Sequence, residues 1–133
     1  MNIDNVYESE TLLCIFVQNL ADSTSSKFIT EDHAILQSGI IHVNPDREIN
    51  RHRHNKILRN TMGTSEVLVV VKGQVVATIF SEFSESIICT RILKKGDVVL
   101  LFNGGHGFSS QEDSILFEVK NGPYNQAVDK VYF

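Results

Sequence analysis

The chain of 133 residues carries 12 Lys and Arg against 16 Asp and Glu, a formal net charge of -4. This length fits one hydrophobic core, so we predict a single domain over residues 1–133. The cations form no long run, which argues against nucleic-acid binding, and no apolar stretch reaches the roughly twenty residues of a membrane-spanning helix. The first ten residues are polar and carry three acids, unlike a secretory signal, so we expect a cytoplasmic protein.

Most apolar segments are short, rich in Val, Ile and Phe, and bounded by Gly, Asn, Asp or Ser, a pattern typical of strands. The first of them, Thr11–Leu20, fits a strand or a short helix. The other predicted strands are Ala34–Val43, Glu48–His54, Glu66–Val71, Gln74–Phe80, Ile87–Leu93, Asp97–Phe102 and Ser114–Lys120. Lys72-Gly73 predicts a tight hairpin, because Gly takes the positive φ of such a turn. Strands spaced in this way, with no helical period between them, indicate an antiparallel sandwich or barrel.

Two histidines alternate along the predicted strand Glu48–His54. Successive side chains of a strand point to opposite faces, so His52 and His54 share one face with Asn50. Two imidazoles set side by side suit a metal site or a proton-transfer pair. An isolated HxH pattern is a weak signal, and its weight depends on the residues that follow it.

A carboxylate and another histidine stand at the ends of other predicted strands. Glu66 heads an apolar run, where a carboxylate stays at the rim or finds a positive partner. His106 lies between glycines at a strand end, where the backbone can approach another group closely. Imidazoles with one carboxylate suit an open site for Fe, Mn, Ni or Zn rather than a closed cysteine site.

The chain from about residue 50 to residue 108 resembles the cupin superfamily. Its first motif, G-x5-HxH, a short spacer and E-x6-G, is similar to residues 50–73, with the HxH at His52 and His54 and E-x6-G at Glu66–Gly73. Its second motif, G-x5-P-x-G-x2-H-x3-N, is similar to residues 96–108. The resemblance implies an all-β fold, the cupin-type double-stranded β-helix or jelly-roll barrel, with a strand or a short helix near the N-terminus.

The second motif is matched at Gly96, at Gly104 and, one residue early, at His106. Phe102 replaces its proline and Ser110 its asparagine. The spacer between His54 and Glu66 has eleven residues, where cupins usually have three or four. None of these departures removes a candidate ligand. The resemblance implies a divalent metal ion (Fe, Mn, Ni or Zn) bound by the following residues: His52, His54, Glu66 and His106.

Three functions follow as alternatives. The first is a metal-dependent cupin enzyme, of isomerase, epimerase or dioxygenase type, acting on a small polar, carbohydrate-related metabolite. The second is a metal-free enzyme resembling the nucleotide-sugar isomerase and epimerase cupins, with His52, His54 or Glu118 transferring protons. The third is a non-catalytic module that binds a small molecule. Glu66 favours the metal-dependent alternative, since those isomerases commonly lack the metal carboxylate.

The expected ligand is small and anionic or carbohydrate-like. Lys56 and Arg59 lie on the long spacer and are candidates to bind it, since a guanidinium pairs with a carboxylate or phosphate in fork geometry. Tyr124, which follows Gly122-Pro123, is a third candidate. We also expect a homodimer, because sheet edges and the apolar segment Leu12–Val17 have to be covered.

Overall fold

The computed structural model describes residues 1–46 and 48–133 and is all-β with antiparallel sheets. Its strands are β1 Asn2–Glu8, β2 Thr11–Gln18, β3 Lys27–Phe28, β4 Gly39–Ile40, β5 Glu66–Lys72, β6 Gln74–Phe80, β7 Ile87–Lys94, β8 Val98–Leu101, β9 His106–Ser109 and β10 Ile115–Lys120. The chain divides into two compact units: unit 1 holds residues 1–22 and 64–133, and unit 2 holds residues 23–63. The single domain expected from the length stays a prediction.

Unit 1 contains two antiparallel sheets. One has the strand order β1-β2-β8-β5-β10 and the other the order β7-β6-β9. Consecutive strands from β5 onward change sheets at β5–β6, β7–β8, β8–β9 and β9–β10. The prediction of a hairpin at Lys72-Gly73 is therefore wrong: Gly73 has a φ of 74°, but it joins strands of different sheets. Among the described residues neither sheet closes into a barrel.

The core of unit 1 lies between the inner faces of these two sheets. The alternation in β5 and β6 places every second residue inward, as a strand requires. The central strands β2 and β8 are buried on both faces, which accounts for their continuous apolar sequences. The buried core side chains are Leu13, Cys14, Phe16, Leu68, Val70, Val75, Ala77, Ile79, Leu93, Val99 and Leu101.

The N-terminal segment Thr11–Leu20 takes the strand alternative. It forms β2 over Thr11–Gln18, followed by a short 3-10 helix over Leu20–Asp22. The side chains from Leu13 to Val17 are buried within the chain itself. These side chains therefore need no second molecule to cover them. The need to cover this apolar segment was one reason for expecting a homodimer.

Unit 2 contains less regular structure than the sequence predicts. Of the predicted strand Ala34–Val43, only Gly39–Ile40 is a strand, paired with Lys27–Phe28. The strand predicted over Glu48–His54 is wrong, because residues 48–63 form no strand and are exposed. Alternating side chains make a strand only where a second strand accepts the backbone hydrogen bonds.

The helices of the structure were also compared with the length and apolar character that crossing a membrane requires. Over residues 1–46 and 48–133, the structure has no helix with the length and apolar character to span a bilayer.

Candidate functional site

Charged side chains of three strands meet at one end of the inner face of unit 1. Glu66 begins β5, and its register partner on the neighbouring strand β10 is Lys120. His106 begins β9 in the facing sheet. Glu66 belongs to the inward row that continues with Leu68 and Val70. We call Glu66, His106 and Lys120 the 66–106–120 cluster.

Glu66 is the buried member of this cluster, with 4% of its surface exposed. Its Oε2 lies 3.2 Å from Nε2 of His106, and its Oε1 lies 3.8 Å from Nζ of Lys120. A buried carboxylate is costly unless hydrogen bonds and an opposite charge compensate the lost hydration. Each oxygen of Glu66 has such a partner, so the sequence expectation that this carboxylate finds a positive group is met.

The pKa of Glu66 is held below its ordinary value of 4.5. The largest cause is the hydrogen bond from His106. Burial acts in the opposite direction and raises the pKa, while the charges of His106, Lys120 and Lys130 lower it further. The carboxylate is thus kept ionised despite its burial.

The rim of the cluster contains two residues that the sequence singled out. Glu118 lies two residues before Lys120 on the same face of β10, and its Oε1 is 3.7 Å from Nζ of that lysine. The ring of Tyr124 covers the same ammonium, with 4.6 Å between Nζ and the ring centroid. Strand alternation already placed Lys120 on the same face as Glu118, but only Glu118 was among the predicted candidate site residues.

The backbone beside His106 is closely packed. A Cβ added to Gly105 would lie 2.6 Å from Cζ of Phe133 and 3.2 Å from Cβ of Phe80. Phe133 and Phe80 pack edge to face, with 5.3 Å between their ring centroids. A side chain at Gly105 would therefore have to displace the ring of Phe133, which occupies this space. His106 itself keeps 31% of its side chain exposed.

The two histidines of the HxH pattern belong to unit 2. The ring centroids of His52 and His54 are 5.2 Å apart in an edge-to-face arrangement, so the two rings are neighbours as predicted. Nδ1 of His52 donates to the carbonyl oxygen of Asn50 at 2.8 Å. Lys56 and Arg59 lie on the same exposed, irregular segment. Their predicted role in ligand binding stays a prediction.

The side chains of unit 1 alone do not fit a divalent metal ion. They supply two of the four implied ligands, Glu66 and His106, and an open catalytic site usually has three from the protein. The ammonium of Lys120 also lies against the carboxylate and would repel a cation. Within either unit, the described residues form no group of three or more His, Cys, Asp or Glu suited to a metal. The four-residue site stays a prediction, since His52 and His54 belong to unit 2.

Comparisons with known proteins assign no family to the chain. No family model, no curated protein and no solved structure matches it.

Proposed function

We propose that unit 1 is a variant of the cupin double-stranded β-helix and that its 66–106–120 cluster transfers a proton to and from a small polar metabolite. The fold part rests on the strand connections from β5 to β10, which pass repeatedly between two antiparallel sheets. Jelly-roll folds consist of two such sheets. A crystal structure in which the strands of both sheets wind around a common axis would support this fold. A structure in which each strand pairs with the next one along the chain, as in an up-and-down meander, would overturn it.

The function part is carried by the Glu66–His106 pair. A neutral imidazole whose Nε2–H donates a hydrogen bond to a carboxylate has its lone pair on Nδ1. Glu66 is buried and Nε2 of His106 lies 3.2 Å from its Oε2, so the carboxylate fixes both the tautomer and the direction of the ring. The partly exposed His106 is then the proton acceptor, and Glu66 is the residue that positions it.

Lys120 and Tyr124 supply the groups that such a reaction needs next to its base. Removing a proton beside a carbonyl leaves negative charge on the carbonyl oxygen, which an ammonium or a phenol stabilises. The ammonium of Lys120 lies 3.8 Å from the carboxylate that orients His106, so base and cation belong to one site. The reaction class is an isomerisation or epimerisation of a hydroxy-carbonyl compound.

The charges of the site favour a substrate that is neutral at its reacting end. Glu66 and Glu118 carry two negative charges, and Lys120 and Lys130, whose charges both act on this group, carry two positive ones. With a neutral His106 the formal sum is zero. A sugar or a similar polyhydroxy carbonyl compound fits this balance, and any anionic portion of it would be bound away from the cluster.

The test is hydrogen exchange into candidate substrates in D2O. Free and nucleotide-linked keto and aldehydo sugars are incubated with the protein, and deuterium incorporation is read by mass spectrometry. We expect His106→Gln to lower the exchange rate by at least about a hundredfold. We expect Glu66→Gln to lower it less, and His33→Gln, a histidine in unit 2, to leave it unchanged. Equal rates for the wild type and His106→Gln would overturn the proposal.

Divalent metal binding by His52, His54, Glu66 and His106 is the second candidate function. The adjacency of Glu66 and His106 favours it, since these are two of the four ligands that the cupin resemblance implies. Elemental analysis of protein purified without a His-tag distinguishes the two candidates. About one metal ion per chain, lost in both His52→Ala and His106→Ala, supports the metal site, and a metal-free protein that catalyses the exchange supports the acid–base site.

A further inference from the structure

An exposed basic segment in unit 2 differs in charge from the rest of the chain. Residues 48–64 are all exposed, and residues 49–64 contain no Asp or Glu. We call residues 49–63 the basic arm. It carries four of the twelve Lys and Arg residues, so the remaining chain has eight against sixteen acids, a formal charge of -8. The cations of the arm are Arg51, Arg53, Lys56 and Arg59.

The basic arm also exposes large apolar side chains. Ile57, Leu58 and Met62 lie among the cations, and Leu58 is 88% exposed. Cations alone would suit any polyanion, but a nucleic acid offers little to three aliphatic side chains. A partner that uses the whole arm presents acidic and apolar groups together, which is typical of a protein surface.

Unit 1 exposes a surface of that chemistry in the turn between β6 and β7. Phe83 is 75% exposed and lies between Glu82 and Glu85, with the exposed Ile87 following them. We call residues 82–87 the acidic turn. It therefore combines two carboxylates with two large apolar side chains, the counterpart of the basic arm.

The acidic turn is held in one conformation by hydrogen bonds. The hydroxyl oxygen of Ser81 accepts from the backbone nitrogens of Phe83 and Ser84 at 3.0 and 3.1 Å. Glu8 on β1 accepts from the Ser81 hydroxyl at 2.7 Å and from the Glu82 nitrogen at 2.8 Å. An exposed aromatic side chain on a backbone that is already held in place costs less ordering of the chain on binding and is well suited to anchor an interface.

We propose that the basic arm of one molecule binds the acidic turn of a second copy, and that two such contacts form a two-fold symmetric dimer. The occupant is a second copy because the chain itself carries the complementary surface in charge and in apolar content. A two-fold axis repeats the contact once and closes the assembly, so no further copies are added.

The test changes the charges of the arm and of the turn by mutation and measures dimerisation by sedimentation velocity. One variant reverses the charge of the arm (Arg53→Glu, Lys56→Glu, Arg59→Glu), and another neutralises the turn (Glu85→Lys). A control (Lys27→Glu, Lys94→Glu, Lys95→Glu) changes the net charge as much as the arm variant does, at exposed positions elsewhere. We expect a wild-type dimer with a Kd of roughly 1–100 µM that weakens as salt is added.

We expect the arm variant and the turn variant each to dimerise at least about tenfold more weakly than the wild type, and the control less than about twofold more weakly. A mixture of the arm and turn variants should restore a heterodimer, because one contact then pairs an unchanged arm with an unchanged acidic turn, and the other pairs the reversed arm with a turn that is no longer acidic. The proposal is overturned if the wild type stays monomeric at about 500 µM. It is also overturned if the mixture fails to associate, or if the arm instead binds phosphatidylcholine vesicles containing phosphatidylserine while the protein stays monomeric.

Discussion

Unit 1 and unit 2 keep their backbones in place by different means. In unit 1, β5 pairs with β8 on one side and β10 on the other, and its inner face is buried. In unit 2, a side-chain hydroxyl provides part of the backbone hydrogen bonding: Oγ1 of Thr30 accepts from the backbone nitrogen of Ser38 at 2.9 Å. Residues 48–63 have neither a paired strand nor a buried face. Unfolding of unit 1 must therefore be cooperative, while residues 48–63 can open locally.

Limited proteolysis tests this contrast most directly, because the expected difference is largest. In dilute solution we expect trypsin to cut first after Arg51, Arg53, Lys56 or Arg59, at least about a thousandfold faster than inside the strands of unit 1. Mass spectrometry of a digestion time course identifies the cuts. A first cut after Lys72, next to the turn into β6, would show that the two units do not differ in this way.

Truncation of one side chain in each unit gives the next largest difference. Phe16 is fully buried in the core, and the guanidinium of Arg91 lies 5.3 Å from its ring centroid. We expect Phe16→Ala to lower the free energy of unfolding by about 3–5 kcal/mol, since it leaves a cavity. The matched change Leu58→Ala in the basic arm should cost less than about 0.5 kcal/mol. Urea titration followed by circular dichroism measures both, and similar losses would contradict the assignment of the core to unit 1.

Substitution of two glycines with positive φ distinguishes the cost of backbone strain from the cost of a steric clash. Gly73 in unit 1 and Gly63 in unit 2 have φ values of 74° and 80°. A Cβ at Gly73 would lie 2.2 Å from Oγ of Ser114 and 3.0 Å from the carbonyl oxygen of Asp113, whereas a Cβ at Gly63 would have no atom within 4 Å.

Gly63→Ala should therefore cost about 1–2 kcal/mol, the strain of the left-handed conformation, and Gly73→Ala about 1–2 kcal/mol more. Thermal unfolding of both variants measures the difference. Equal losses would mean that the junction between β5 and β6 adapts to a side chain without cost.

The smallest expected effect is the pH dependence due to Glu66. Its pKa is lowered in the folded protein, so its contribution to stability is present above the unfolded value and is lost as pH falls through the lower, folded value. The free energy of unfolding should then decline below about pH 4.5, and the decline should be shallower in Glu66→Gln. Urea titrations from pH 6 to pH 3 measure the slopes. Glu112→Gln, on an exposed turn, is the control. An identical slope for wild type and Glu66→Gln would show that the ion pair of Glu66 does not contribute to this pH dependence.

The sequence predicted the strands of unit 1 better than those of unit 2. Glu66–Val71, Gln74–Phe80 and Ile87–Leu93 correspond to β5, β6 and β7 within a residue. Two strands of unit 1 were not predicted: β1, whose sequence is mostly polar, and β9, whose short sequence carries no clear apolar alternation. Glu48–His54 alternates clearly but forms no strand, because nothing in a local pattern shows whether a partner strand exists.

Four of the predicted candidate residues lie in or beside the 66–106–120 cluster, while the predicted site that joins His52 and His54 to Glu66 and His106 stays a prediction. Glu66, His106, Glu118 and Tyr124 were each singled out, and the structure places all four in or beside one cluster. Lys120 joins them because the register of β10 against β5 sets it opposite Glu66. A shift of one residue would turn Lys120 to the outer face, and no local signal fixes that register.

Local patterns are enough to predict that residues 66–120 form short strands around an apolar core, because alternation and turn residues act between near neighbours in the chain. The sheet that each strand joins cannot be predicted in this way, since strand pairing depends on residues far apart in sequence. That pairing brings an imidazole and an ammonium to the same buried carboxylate. It also leaves residues 48–63 outside the ladders, where their charges face the solvent.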